Sequence, residues 1–378
     1  MKILHIINQM ELKGGAELML CRLANMQSES GNTVYVVVLR GNSKLAYQKL
    51  NKSIHLIEFK HKNSFGALFS FIKISRLFKR LKPDISQSWL YLSDLINTLS
   101  YFFSSYKPKI FWGIRNTKIP QGYFSLQGLL VFINSAISNI ANIEIICCSH
   151  ASKKFHAKIF YKKSRMSVIE NGFSPEEYSF SYSKRLTKRN ELNIKSNEIL
   201  IGNLCRFDSS KGLDDFIRII SILSDDQNLK FIIQGRNIET SNFLIKKIAQ
   251  YNIQDKVILA GETDDIQSFF SAIDIFCMSS IMEGFPNVLC EAMLHQRVTF
   301  STDVGDARAI IGSDDFISPP RDPDNMAKKI KAIISRKTIF RELGEENRNN
   351  IISNFSLDAI ALKYKNMYQK KIDFYEQR

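Results

Sequence analysis

Residues 272–293 read "AIDIFCMSSIMEGFPNVLCEAM". The apolar run Ala272–Ser280 has the length and β-branched content of a strand, and "IMEGF" is a loop. Pro286 then opens a helix, where its missing N–H costs nothing. The stretch is therefore one βα unit, and it carries two glutamates, Glu283 and Glu291, that packing alone does not require.

The same alternation runs through the whole chain. Strands are expected at "KILHIIN", "TVYVVVL", "IHLIEF", "DISQSW", "KIFWGI", "IEIICCS" and "SVIE", with helices near 16–30, 65–81, 91–104, 125–141 and 150–160. A polar stretch rich in Ser, Lys and Arg (174–190) reads as a connector. The pattern then restarts with "EILIGNL", "LKFIIQG", "KVILAG", "IDIFCMSS" and "RVTFSTD", and ends in helices near 323–335, 338–352 and 356–375. Strands alternating with helices predict parallel sheets built from βαβ units. At 378 residues the chain exceeds what one core usually holds, so two doubly wound α/β domains are expected, 1–173 and 174–355. Ligands in such folds sit beyond the carboxyl ends of the strands, and the expected site lies where the two domains face each other across a central cleft.

Composition narrows the classes. An apolar fraction of 44% is ordinary for a globular chain, and no repeat or low-complexity segment is present. The start, "MKILHIINQM", alternates too early for a signal peptide, and polar residues break the tract from Phe124 to Cys148 too often for a spanning helix. A cytoplasmic location follows as an expectation. The six cysteines show no C-x-x-C spacing, and four lie in apolar runs, as small buried hydrophobes do. A net charge of +15 seeks an acidic partner: nucleic acid, an anionic membrane or phosphorylated substrates. Nucleic acid is disfavoured, since neither a groove-reading helix nor an aromatic platform is evident.

Three places suit phosphate. Gly14 and Gly15 end the loop after the first strand, where a glycine pair lets helix-terminal amides approach an anion; a plain turn explains them as well. The spacing is not G-x-G-x-x-G, which disfavours a dinucleotide site of that kind. In "NLCRFDSSKGLDDF", Arg206 and Lys211 flank a loop that opens a helix, and a planar fork with a point charge suits a diphosphate. The third is the helix after Pro286, whose Asn287, Val288 and Leu289 amides are expected to point out of its end as donors. On a continuous helical rise Glu283 and Glu291 stand roughly 12 Å apart, the span of a nucleoside diphosphate sugar from its sugar to its ribose. One carboxylate then accepts from sugar hydroxyls and the other from the ribose diol.

In order along the chain, "GGAE", "ENGF", "R-x-x-x-x-KG", "EGFPNVLCE" and "STDVGD" resemble the retaining glycosyltransferases of the GT-B fold, family 4, of the type that builds surface polysaccharides and O-antigens. The resemblance covers nearly the whole chain. It implies that Arg206 and Lys211 hold the donor diphosphate, Glu283 faces the donor sugar, Glu291 binds the ribose, and the backbone after Pro286 contacts phosphate. Glu283, Arg206 and Lys211 are thus the expected catalytic residues, with no metal and no cofactor beyond the nucleotide-sugar donor. Gly14 and Gly15 would border the acceptor side, and the segment 356–378 would return to the first domain. An NDP-sugar epimerase or a degenerate, non-catalytic member shares much of this logic.

Some positions depart from the family pattern. Where relatives carry a histidine after a central strand, "FWGIRNTKIP" offers Arg115 and Asn116, and Leu92 stands where another histidine is common. Gln296 and Val298 replace a usual Gly and Pro. Finally, "FGALFSFIKISRLFKRL" (65–81) sets Ala67, Phe71, Ile74, Phe78 and Leu81 on one helical stripe. Phe65, Leu68, Phe69 and Ile72 fall on another side with Lys73, Arg76, Lys79 and Arg80. With the lysines of 153–163 and Arg165, this predicts peripheral attachment to an anionic membrane and a glycan or polyprenyl-diphosphate-linked acceptor; a wide core face is the competing reading.

Overall fold

The computed structural model describes residues 1–12, 14–41, 43–119, 122 and 124–376, with side chains as far as 373. They form two compact units, 1–172 with 357–378, and 173–356.

In the first unit the order is β1 (Lys2–Ile7), α1 (Gly15–Glu29), β2 (Thr33–Arg40), α2 (Lys44–Lys49), β3 (His55–His61), α3 (Ser64–Leu68), α4 (Ser70–Leu81), β4 (Ile85–Trp89), α5 (Tyr91–Phe103), β5 (Lys109–Ile114), α6 (Leu126–Ile140), β6 (Glu144–Cys147), α7 (His150–Lys158) and β7 (Met166–Val168). The strands form one parallel sheet in the order β3-β2-β1-β4-β5-β6-β7. Both faces are covered, which is why β1 and β5 read as near-continuous apolar runs, while β4 buries the polar Ser86, Gln87 and Ser88 between Ile85 and Trp89. One core packs Met19, Leu20 and Ala46 of α1 and α2 on the sheet; the other packs Phe78, Ile96 and Val131 of α4, α5 and α6. The helix expected over 65–81 is two helices, broken at Phe69. Its stripe is nonetheless inward: Ala67, Ile74 and Phe78 are buried.

Two histidines are sealed into this unit. On β1, His5 Nδ1 accepts from the Trp89 indole at 3.2 Å, so Nε2 carries the proton and donates to Gln27 Oε1 at 2.8 Å. On α7, His156 Nδ1 donates to the Ser152 carbonyl and Nε2 accepts from the Tyr91 hydroxyl, each at 2.9 Å. Burial lowers both rings to a pKa of about 4. The unfolded chain then binds more protons between pH 6.5 and 4, so the stability held above about pH 6.5 is lost as the pH falls toward 4. Each ring contributes up to about 3 kcal/mol to that slope. Urea unfolding at pH 7 and pH 5 should show the first unit markedly weaker at pH 5, with His156→Gln reducing the difference.

The second unit runs α8 (Tyr182–Glu191), β8 (Ile199–Leu204), α9 (Leu213–Leu223), β9 (Leu229–Gln234), α10 (Asn242–Gln250), β10 (Val257–Ala260), α11 (Ile266–Ala272), β11 (Ile275–Met278), α12 (Asn287–Leu294), β12 (Val298–Thr302), α13 (Ala307–Ile311), β13 (Ile317–Ser318), α14 (Pro323–Ile334) and α15 (Phe340–Phe355). Its parallel sheet has the order β10-β9-β8-β11-β12-β13. The expected connector at 174–190 is mostly α8. Its packing face is polar, which removes the apolar period: Arg185 and Arg189 both pair with Asp274 and both bond the Ala272 carbonyl. Asp322, of the D-x-D at 322–324, caps α14 by accepting from the Asn325 amide at 3.0 Å. Gln296, where the resemblance leads to an expected glycine, takes a left-handed φ of 60°, the conformation glycine adopts most easily.

The last helix, α16 (Leu357–Glu376), belongs to the first unit. Ile360, Tyr364 and Tyr368 enter its core beside α1, and Tyr368 donates to Gln87 of β4.

Candidate functional site

The second sheet reverses its winding between β8 and β11, the strands from which neighbouring connections leave in opposite directions. These two strands pair only through Ile275–Ile201 and Phe276–Gly202. Beyond that point the Asn203 carboxamide spans the gap, donating to the Cys277 carbonyl at 2.9 Å. The loops after β8 and β11 therefore flank the opening of the sheet, and they carry Arg206, Lys211 and Glu283.

The β8–α9 loop folds on itself. Asp208 accepts from the amide and hydroxyl of Ser210 at 2.9 and 2.6 Å, and these bonds hold its carboxyl at a pKa of about 2. Gly212 then takes φ 60° at the start of α9; a Cβ there would stand 2.0 Å from the Ser279 carbonyl oxygen. The loops are stitched together by Ser279 Oγ donating to the Lys211 carbonyl at 3.1 Å and by the Ile281 amide donating to the Ser210 carbonyl at 2.7 Å. From the other side, the Asp306 amide donates to the Gly284 carbonyl at 3.0 Å, and Gly305 packs so closely that its Cβ would meet that same oxygen at 2.3 Å. Phe285 anchors the loop from below, packing its ring on Phe173 and Phe355.

This cradle brings Lys211 Nζ to 2.7 Å from Glu283 Oε1, with both side chains largely shielded from water. Ser280 Oγ also donates to Glu283 Oε1 at 2.7 Å. Arg206 lies in the same loop but is mostly exposed, its guanidinium turned to Asp208 at 3.3 Å. The arrangement offers an ammonium at the mouth of the switch point, a carboxylate aligned by it, and a mobile-length guanidinium at the rim. Such a set can bind a diphosphate and stabilise charge that develops on it.

The helix after Pro286 differs in detail from expectation. Pro286 is the N-cap, not the first helical residue, and the Leu289 amide is taken by the Pro286 carbonyl at 3.1 Å. Leu289 therefore drops out as a phosphate donor, leaving Asn287 and Val288 at the helix start. Residues 283–286 precede the helix, so a continuous helical rise does not set the Glu283–Glu291 distance. Glu291 stands in the second turn of α12, half-buried, and its carbonyl accepts from both the amide and Nδ1 of His295.

In the first unit the equivalent reversal lies between β1 and β4. Gly14 caps α1 with an extended φ of −125°, and Gly15 is the first helical residue. Among the described residues other than its chain neighbours, the nearest atom to a Cβ on Gly14 is Glu17 Oε1 at 4.0 Å. After β4, Leu90 adopts φ 71° and ψ 159°, a region used almost solely by glycine, and its amide donates to the Gly113 carbonyl at 3.0 Å. Arg115 is tied into the first unit. It stacks on Trp89 at 4.6 Å and bonds Asn171 Oδ1 at 3.0 Å and the Tyr364 hydroxyl of α16. The Asn116 carbonyl is held by Ser152, and Leu92 is buried within α5.

The sequence reading missed Asp208, Ser280, Asn203 and the Gly305–Asp306 clamp. The paired serines of "MSS" at a strand's carboxyl end and the aspartate of "RFDSSKG" were the available signals.

Two doubly wound parallel-sheet units, one with an ammonium–carboxylate pair at its switch point, define a two-domain α/β protein. The family models agree: "Glycosyltransferase Family 4" matches residues 13–177 and "Glycosyl transferases group 1" matches 184–354. The chain belongs to these glycosyltransferases, with the GT-B fold. It is 25% identical over 346 residues to the capsular polysaccharide biosynthesis glycosyltransferase CapM of Staphylococcus aureus, covering 88% of this chain and 89% of that one. It is 22% identical to the lipopolysaccharide core biosynthesis glycosyltransferase LpsE of Rhizobium meliloti, covering 95% and 96%. The crystal structure of Anabaena Alr3699/HepE in complex with UDP superposes with a TM-score of 0.83 at 19% identity, covering 98% and 100%.

Proposed function

We propose that this glycosyltransferase is retaining and metal-independent, and moves a sugar from a nucleoside diphosphate sugar to a glycan or polyprenyl-diphosphate-linked acceptor in bacterial surface polysaccharide synthesis. It would work in the cytoplasm, peripherally on the inner face of the cell membrane. The observation that carries the reading is the Lys211–Glu283 pair at the switch point of the second unit. The capsular and lipopolysaccharide roles of CapM and LpsE, and the UDP bound to HepE, support the substrate class. Among the described residues, no helix is long and apolar enough to cross a membrane, and no three His, Cys, Asp or Glu side chains are grouped to hold a metal ion.

In this mechanism the bond between the anomeric carbon and the β-phosphate oxygen breaks, and its electron pair leaves with the nucleoside diphosphate. Lys211, Arg206 and the Asn287 and Val288 amides stabilise the charge that grows there. The acceptor oxygen bonds the anomeric carbon on the same face, and its proton passes to a leaving phosphate oxygen. Glu283, aligned by Lys211 and Ser280, orients the sugar. Glu291 holds the ribose diol, and Gly14 and Gly15 serve the acceptor side.

Thermal shifts with UDP-, GDP-, ADP- and dTDP-sugars test the donor site. A donor at a hundred times its Kd stabilises by about 2.7 kcal/mol, roughly 5–10 °C for a domain of this size. One nucleotide should give this shift, and Glu291→Ala should weaken its binding about tenfold or more. Product anomer analysis with that donor, in chelator, tests retention and metal independence. No response to any donor overturns the reading.

A further inference from the structure

We propose that the outward face of α6, with the lysine groove of α7 beside it, is the surface that docks this protein on an anionic bilayer. This deepens the membrane-proximal reading above, and it rests on a helix that the sequence reading did not assign to lipid.

Helix α6, "LQGLLVFINSAISNI", contains no charged residue. Its inner side, with Leu130, Val131, Asn134 and Ser138, is buried in the first unit. Its outer side presents Leu126, Leu129, Phe132, Ile133 and Ile140, which are 37–81% exposed. A water-facing helix side normally carries polar or charged groups. Five large hydrophobes along four turns of an uncharged helix form a contiguous apolar strip of the kind that marks an interaction surface.

The neighbourhood supplies the sign of the partner. The carboxyl half of α6 is stitched to the turn after α7: Ser135 Oγ donates to the Ile159 carbonyl at 2.9 Å, Asn139 Nδ2 to the Phe160 carbonyl at 2.9 Å, and the Lys162 amide to Ser138 Oγ at 3.0 Å. Phe160 is itself thrust outward, with a left-handed φ of 69°. Along α7 runs an open groove of about 410 Å³ lined by His150, Lys153, Lys154, Ala157, Lys158 and Lys163. Between 118 and 169 the chain carries seven Lys and Arg residues against one acid, Glu144, and that carboxylate is paired with Lys371.

An apolar strip bordered by cations that, among the described residues, pair with no carboxylate matches the boundary between headgroups and acyl chains of an anionic leaflet, where amphipathic faces bury to a depth of roughly 5–10 Å. A second copy of this chain is the poorer occupant. A twofold contact sets each patch against its own image, so the lysines flanking α6 would face one another. Helix α4 packs on the same helix α5 as does α6, through its buried Ile74, Leu77 and Phe78, and leaves Lys73, Arg76, Lys79 and Arg80 exposed.

The test is sedimentation of the full chain with vesicles of phosphatidylcholine alone or with phosphatidylglycerol, at low and high salt, without donor or acceptor. Binding is expected only with phosphatidylglycerol, weakened by salt. The triple change Leu129→Ser, Phe132→Ser, Ile133→Ser, and separately Lys153→Gln, Lys154→Gln, Lys158→Gln, should each lower partitioning at least roughly tenfold. All six positions lie outside the donor site, so both variants should keep the wild-type melting temperature and donor response. Equal binding to neutral vesicles, absence of binding, or unchanged binding by the serine variant overturns the proposal. So does a dimer in solution that the serine variant dissolves while vesicles remain unbound. Because no substrate is present, failure here leaves the donor-site reading standing, and failure of the donor panel leaves the docking result standing.

Discussion

Lys211→Ala should lower kcat by about a hundredfold to a thousandfold with a much smaller change in KM, as loss of a preorganised charge at a leaving group does. The Lys211 ammonium is shielded from water and lies 2.7 Å from Glu283, so it is positioned before any donor arrives. Its attraction for the diphosphate grows as the glycosidic bond breaks, which places the loss in the transition state. The change also leaves Glu283 with only Ser280 of these two ligands, so the sugar side of the site loosens. The two effects separate in a double-mutant cycle. If Glu283→Gln and Lys211→Ala act through one pair, the double variant should be little worse than Lys211→Ala. Fully additive losses, or a Lys211→Ala enzyme with unchanged kcat, would remove the pair from the mechanism. Arg206 should matter less for kcat and more for KM, since its guanidinium is at the exposed rim.

The second large effect is structural. Gly212→Val should destabilise the second unit by about 3–5 kcal/mol, beyond the usual range for one substitution. Any side chain at φ 60° costs roughly 1–2 kcal/mol, more when β-branched. Here the first added carbon also lands 2.0 Å from the Ser279 carbonyl oxygen, which is backbone and cannot swing aside. The loops after β8 and β11 must then part, and Lys211 parts from Glu283 with them. For a unit of this size the melting temperature should drop by roughly 10 °C or more, with donor binding lost well below that temperature. Calorimetry of the variant checks the first effect, and the donor thermal shift the second. A variant that melts like the wild type would show that the two loops do not approach as described.

Most strands and helices could be read because each unit buries both faces of a parallel sheet. β1, β5, β8 and β11 are therefore short, mostly apolar runs, and the helices between them keep their period. The reading failed where packing is polar. α8 holds the second unit through Arg185, Arg189 and Asp274, and guanidiniums on carbonyls leave no apolar stripe to detect. Arg115, after a central strand, is held by Trp89, Asn171 and Tyr364 from three distant parts of the chain, contacts that no local pattern indicates.

The sequence by itself determined the two-domain α/β class and the glycosyltransferase family, and it marked Arg206, Lys211, Glu283 and Glu291 as candidate site residues, because local period and short motifs encode these within one βα unit at a time. Only the tertiary structure decided which of these side chains meet. It joined Lys211 to Glu283, turned Arg206 to Asp208, withdrew the Leu289 amide into its own helix, and left the outer side of α6 bare. Contacts between loops 72 residues apart, and the exposure of one side of a helix, depend on how strands are ordered in the sheet, which no local pattern carries.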